Sequence, residues 1–401
     1  MNDLAIFTVT SGLHDEASVS RLTDDFLKEI FPDGRYDFPG ADFSSFGERP
    51  LDLIYIRTGG TEGLFLRQLP ELLERGARRF LLLTSGKSNS LAASLEILSY
   101  LRQKGLSGEV VHGNAETVRR RIGLLMRAEK ARRELAGKRI GIIGKPSDWL
   151  IASGYDTEAI RKKLGVEVSD IPLEELLAEM KSVAAPEAPA LPMKTDISES
   201  LPGAMQILEG LRALVRKQGL GALTLRCFDL LTAVRNTGCL ALSVLNGEGL
   251  PSSCEGDVPA LVTMMISKAL TGKTGFQANP AHIDVASGEI LFAHCTIATD
   301  IVDSLTYDTH FESGIGVGLH GHFPEGPVTV FKVSGALDRY FVSEGTLLRN
   351  QYEDNLCRTQ VILRLPPEDA SYFLKDPIAN HHIIIPGRHK ALIEQFICGL
   401  S

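Results

Sequence analysis

The sequence predicts an α/β protein built from two Rossmann-like α/β domains followed by a β-rich, barrel-like C-terminal domain. Three observations predict it. Short apolar runs at 3–9, 52–57 and 80–84 lead through Gly- or Ser-bearing turns into helical patterns. A second set of such units begins with KRIGIIG at 138–144. After residue 300 the helical period fades, and alternation of apolar and polar residues takes over, punctuated by Pro and Gly.

The first domain, 1–136, opens on the strand DLAIFTV and adds DLIYIR and FLLLT. The turns after the last two are Thr58-Gly59-Gly60-Thr61-Glu62-Gly63 and Ser85-Gly86-Lys87-Ser88-Asn89-Ser90. Helical patterns cover 64–76, 90–104 and 115–135. Strand, turn and helix in repetition place a parallel sheet between two layers of helices. Neither turn matches a P-loop or a dinucleotide fingerprint, so each is a general anion- or hydroxyl-binding junction.

The second domain, 137–300, continues with helices at 156–164 and 172–182. Pro186, Pro189 and Pro192 then exclude a helix interior, so 184–192 reads as a loop or insertion. A helix resumes at 203–218, followed by the strand ALTLR at 222–226 and a helix at 258–271. The third domain, 301–401, shows strand alternation at 314–323, 327–334, 339–343 and 358–365, with a closing helix at 387–399.

With 401 residues, 44% apolar and 23% charged, the chain has the composition of a soluble globular protein with several cores. The net charge of -8 and the lack of basic runs interleaved with aromatics argue against nucleic acid or an anionic membrane as partner. No apolar run reaches the roughly 18 residues of a spanning helix. Met1-Asn2-Asp3-Leu4 does not start a signal peptide. The six cysteines form no Cys-x-x-Cys pair and read as reduced thiols of a cytoplasmic protein.

The chemistry-bearing residues concentrate between Cys254 and Cys295, with a histidine pair near the C-terminus. Glu255 lies in the tight turn Ser252-Ser253-Cys254-Glu255-Gly256, where Gly allows close backbone approach and an acid is well placed for function. Asp257 reads equally as a functional acid and as the cap of the helix that follows. Asn279, before Pro280, has the texture of a turn. His294, in the apolar strand LFAHCT, has the texture of a hydrogen-bonded core residue. His381 and His382 open the strand HHIIIP, and neighbouring strand residues face opposite ways, so one of them at most enters a given pocket. His320 and His322 share strand parity and read as exposed strand histidines. Oxygen and imidazole donors gathered from separate loops suit a divalent cation in a sugar-handling site.

Taken together, several motifs resemble the L-fucose/L-arabinose isomerase superfamily, and within it the shorter fucose isomerase-like branch. They are GGTEGL at 59–64, NSLAASLEIL at 89–98, LTLRCFDLL at 223–231, CEGDVPALVTM at 254–264, GFQANP at 275–280, FAHCT at 292–296, HFESGIGV at 310–317, FPEGPVT at 323–329 and NHH at 380–382. The resemblance covers nearly the whole chain. It implies a metal-dependent aldose–ketose isomerase that works through an enediol. It also implies a divalent cation, usually Mn2+, a small carbohydrate substrate and a homo-oligomer, a trimer or a hexamer built from trimers.

Carried over residue by residue, the resemblance puts the first acid, both metal ligand and proton-shuttling base, at Glu255 and the terminal ligand at His381, with His382 the adjacent choice. The second acid falls on Asn279, and the arabinose branch's additional histidine falls on His294. Asp229 stands near an acid that related sequences carry after the Arg-Cys of the strand, and Asp257 is a further acid beside Glu255. An amide at 279 can offer a carbonyl oxygen to a metal but cannot act as a base. This departure leaves open an epimerase or a C–C lyase on the same frame, or a non-catalytic carbohydrate-binding protein.

Overall fold

The structure, a computed structural model, describes residues 2–400. The chain divides into two compact units, 1–133 and 134–401.

In the first unit, five parallel strands run in the order Asp37–Gly40, Leu4–Val9, Leu51–Ile56, Arg79–Leu83 and Ser107–Val111. Strand alternation sorts their side chains into two cores. Phe7, Ile54 and Leu82 pack on the helices Glu62–Glu74 and Ser90–Gln103, through Phe65 and Ile97. Ile6, Leu53 and Leu81 pack on the opposite face against Leu27 of the helix Glu16–Ile30 and Val118 of a later helix. Helices therefore cover both faces, as the repeated strand–turn–helix pattern requires.

Asp52 is a local conflict in this sheet. Burial pushes its carboxyl from the ordinary 3.8 up to about 6, against the Gly47 N–H that donates to it at 2.6 Å. The folded carboxyl thus holds its proton more tightly than the unfolded one. The stability this contributes is complete below pH 3.8 and is lost as the pH rises through about 6. Asp52→Asn is expected to stabilise the protein at pH 7 by about 1–2 kcal/mol and to flatten the change across that window. Urea unfolding at a series of pH values checks this; an unchanged pH profile would contradict it.

The second unit begins with a four-stranded parallel sheet in the order Glu167–Ile171, Arg139–Ile143, Ala222–Leu225, Ser252–Cys254. Residues 184–192 have no helix or strand, as their prolines require. The helix Cys239–Gly247 carries no sequence signature, because seven of its nine residues are buried and it shows no polar stripe.

The chain then closes a six-stranded antiparallel barrel in the order Phe276–Asp284, Glu289–His294, Thr359–Arg364, Tyr340–Gln351, Gly326–Val333, His382–Pro386. Phe276, Phe292, Val330, Val361 and Ile384 fill its interior. Its first two strands precede residue 300. Asn279-Pro280 has the texture of a turn, yet it lies inside a strand, next to a register shift between Pro280 and His282. A bulge is where a sheet tolerates proline. Among the described residues no helix is long and apolar enough to cross a membrane.

The fold thus brings the carboxyl end of Ser252–Cys254 against one rim of the barrel, where Asn279, His294 and His381 lie.

Candidate metal centre

Glu255 follows directly on its strand, and its backbone is left-handed, φ +64°, with Gly256 at φ +70° behind it. A non-glycine residue in that region is strained, and such strain is kept where surrounding bonds impose it. Here the Ser147 N–H donates to the Glu255 carbonyl at 3.0 Å and the Gly256 N–H to the Leu225 carbonyl at 3.1 Å. A Cβ at position 256 would stand 2.6 Å from the Lys145 carbonyl oxygen. Gly256→Ala is therefore expected to cost about 1–3 kcal/mol in stability and to displace Glu255. Urea unfolding and metal content measured on one preparation would check both effects; an alanine variant as stable as the parent would refute the reading.

The turn points the Glu255 carboxylate between two imidazoles. Its Oε1 lies 3.8 Å from His294 Nε2 and 3.5 Å from His381 Nε2. One donor atom from each of Glu255, His294 and His381 lies within 4.8 Å of the others. Each ring is held from behind. His294 Nδ1 meets the Thr296 hydroxyl at 2.8 Å, and His381 Nδ1 donates to Asp257 Oδ2 at 2.8 Å. Partners of that kind fix a metal-binding imidazole with its other nitrogen facing the ion. Two buried atoms at the site have no hydrogen-bond partner, His381 Nε2 and Asn279 Oδ1. An unpaired imidazole nitrogen and an unpaired amide oxygen beside a carboxylate are what a cation would satisfy. Two imidazoles, one carboxylate and one amide oxygen fit a divalent transition metal.

Charge at the site is compensated in depth. Asp257 is fully buried and caps the helix Val258–Thr271, accepting from the Ala260 N–H at 2.7 Å. Lys332, also fully buried, sits 3.7 Å from the same oxygen, Asp257 Oδ1, and has no hydrogen-bond partner. Burial pushes the Asp257 carboxyl up, but Lys332 and then His381 outweigh it and bring it to about 2. Burial likewise pushes His381 down, and Asp257 and Glu255 raise it to about 9. Glu255 is held well below the carboxylate range, because the flanking histidines overcome its burial.

The other candidates from the sequence lie elsewhere or act indirectly. Asp257 does not face the cavity; it orients His381. Asp229 is half exposed on the helix Cys227–Val234, ion-paired to Arg226 at 2.8 Å, and lines a separate cleft with Lys145 and Tyr155. His382 points the opposite way from His381, with Nε2 3.1 Å from the Tyr372 hydroxyl and its ring packed on Phe373. His320 is buried rather than exposed, 3.4 Å from Asp308, whereas His322 is exposed beside Asp303.

The structure also adds residues to which the sequence reading gave no role in the site. Trp149, the only tryptophan, is 51% exposed and donates its indole N–H to Glu255 Oε2 at 2.7 Å. It stands edge-on to Phe228, with centroids 5.0 Å apart. An inner cavity of ≈ 60 Å³ holds Glu255, Asn279 and His294, and an outer cleft of ≈ 420 Å³ adds Trp149 and Asn380. Glu312 lines both. Five of the six cysteines, all free, line the inner cavity: Cys227, Cys239, Cys254, Cys295 and Cys357. Cys227 and Cys254 bring their sulfurs to 2.8 Å. A signal existed for two of them, since Cys254 and Cys295 adjoin Glu255 and His294 in sequence. Among the described lining residues of the two cavities none is Lys or Arg.

No family model matches the chain. Curated proteins similar to it include three that are each named sulfoquinovose isomerase. That of Alkalicoccus urumqiensis is 24% identical over 272 residues, covering 63% of this chain and 60% of the relative. That of Clostridium sp. (strain MSTE9) is 26% identical over 287 residues, covering 64% and 60%. That of Priestia megaterium is 26% identical over 309 residues, covering 71% and 68%. These isomerases are distant homologues of the chain. The chain spans 60% of the length of the first two.

Proposed function

We propose that the protein is a metal-dependent aldose–ketose isomerase acting on a sugar or sugar derivative. The observation that carries this reading is the buried group Glu255, His294 and His381, with the unpaired Asn279 oxygen beside it. Distant homologues that are sugar isomerases support it. A divalent cation held there, manganese or a similar ion, would polarise the carbonyl and the adjacent hydroxyl of an aldose. Glu255 supplies the negative charge. His294 and His381 supply imidazoles that Thr296 and Asp257 hold in place. Trp149 keeps the second Glu255 oxygen turned aside and, with Phe228, forms an apolar wall against which a sugar ring packs. We further propose that the working form is a homo-oligomer, as the resemblance implies, which the native mass in solution would test.

The uncharged Asn279 favours a second reading, in which the same frame runs an epimerisation or a C–C cleavage, or only binds a carbohydrate. One experiment separates these outcomes. The purified protein is loaded with Mn2+, assayed for bound metal, and incubated in D2O with neutral aldoses and with sulfoquinovose. Ketose carrying deuterium at C1 supports the isomerase. Deuterium at C2 without ketose means an epimerase, shorter products mean a lyase, and binding without exchange means a binding protein. Absence of both bound metal and exchange refutes the proposal.

A further inference from the structure

We infer that Glu312 is the general base of the reaction, supplying the carboxylate that Asn279 does not. The inference rests on the isomerase reading above. An enediol reaction needs a group that can take a proton from one carbon and return it to the next. The side chains around the cation site are otherwise engaged. Glu255 is directed at both histidines through Oε1 and accepts from Trp149 through Oε2. Asp257 is sealed off and bound to His381, Lys332 and the Ala260 N–H. His294 is bound through Nδ1 to Thr296. Asn279 has no basic lone pair at neutral pH.

Glu312 differs from all of these. It lines the inner cavity and the outer cleft together with Glu255 and Asn279. It is exposed, and it makes no hydrogen bond or ion pair with a described residue.

The turn that carries Glu312 is pinned on both sides. The Gly314 N–H donates to the His310 carbonyl at 2.9 Å, and His310 Nδ1 meets the Ser313 hydroxyl at 3.0 Å. The Thr237 hydroxyl donates to the Val317 carbonyl at 2.6 Å. The Arg358 guanidinium lies over the Phe311 ring, 5.9 Å from its centre, and donates to the Thr309 carbonyl at 2.8 Å. A free carboxylate on a rigid turn at the mouth of a cavity is arranged for proton transfer to a bound molecule.

The step balances without an added reactant. The Glu312 carboxylate takes the proton from C2 of the aldose. The C2–H electron pair forms the C1=C2 bond, the carbonyl π pair moves to O1, and O1 takes the proton of the C2 hydroxyl. The O2 lone pair then forms the C2 carbonyl, and the C1=C2 pair takes the proton back from Glu312 at C1. Aldose has become ketose, and the carboxylate is regenerated.

The test uses the Mn2+-loaded full chain and whichever sugar of the panel the parent converts. Glu312→Gln is expected to lower turnover and deuterium incorporation by about 10²–10⁴-fold, with bound metal and KM close to the parent's. Glu312→Asp is expected to recover part of that loss, which a structural role would not show. A parent that converts sugar while Glu312→Gln keeps full exchange overturns Glu312 as base and leaves the isomerase intact. Loss of exchange in His310→Gln but not in Glu312→Gln likewise overturns it. A metal-loaded parent that converts none of the sugars overturns both readings.

Discussion

Glu255→Gln is expected to lose its metal and, with it, turnover. Glu255 is the only carboxylate among the three residues whose donors converge, so the change removes the negative charge of that group. Replacing partners that merely orient a ligand already lowers metal affinity by about 10–100-fold. Removing a charged ligand is expected to exceed that range, and turnover at limiting metal should fall with it. Asp257→Asn, which weakens the support behind His381, should fall within the range. Asn279→Asp should move in the opposite direction and tighten binding, because a second carboxylate adds charge where the amide oxygen now stands. Metal titration of the four proteins measures all of this. Parent-like affinity in Glu255→Gln would mean that the three residues do not form the metal centre.

Lys332→Met is expected to be the most damaging of these changes to stability. Lys332 lies on the barrel strand Gly326–Val333, and its ammonium and the Asp257 carboxylate are both fully buried, 3.7 Å apart. Removing one member of such a pair leaves the other charge uncompensated, at about 3–5 kcal/mol. Here the orphan would be Asp257, which also caps a helix and holds His381. The double variant Lys332→Met with Asp257→Asn should regain part of the loss, because neither member of the pair is then left without its partner. Urea unfolding of the two single variants, the double variant and the parent measures the coupling. Additive losses would show that the two groups do not compensate each other. Lys332→Met should also lose metal less severely than Glu255→Gln, since it acts on the site only through Asp257.

The two effects show how differently the parts of this site are written in the chain. Glu255 was legible because a small-residue turn at the end of an apolar strand is a local pattern. The strands at 3–9, 52–57 and 80–84 and the helices after them were legible for the same reason, since periodicities of 2 and 3.6 need only neighbouring residues, whereas the helix Glu16–Ile30 and the strands Asp37–Gly40 and Ser107–Val111 were not read from the sequence. Cys239–Gly247 was not, because burial on all sides erases the period. The strand through Asn279-Pro280 was not, because a bulge lets turn-forming residues sit in a sheet. Lys332 gave no signal at all, since a lysine in a strand is ordinarily solvated.

By itself, the sequence determined the fold class and the turn at Glu255, each of which depends on residues close together in the chain, and left Asp257 open between a functional acid and a helix cap. Only the tertiary structure decided which histidine of the pair meets Glu255, that Asp229 lies outside the site, and that Trp149, Glu312 and five cysteines surround it. Those are contacts between residues far apart in sequence, 126 positions for Glu255 and His381. They depend on how a barrel rim meets the end of a parallel sheet, and no local pattern encodes that.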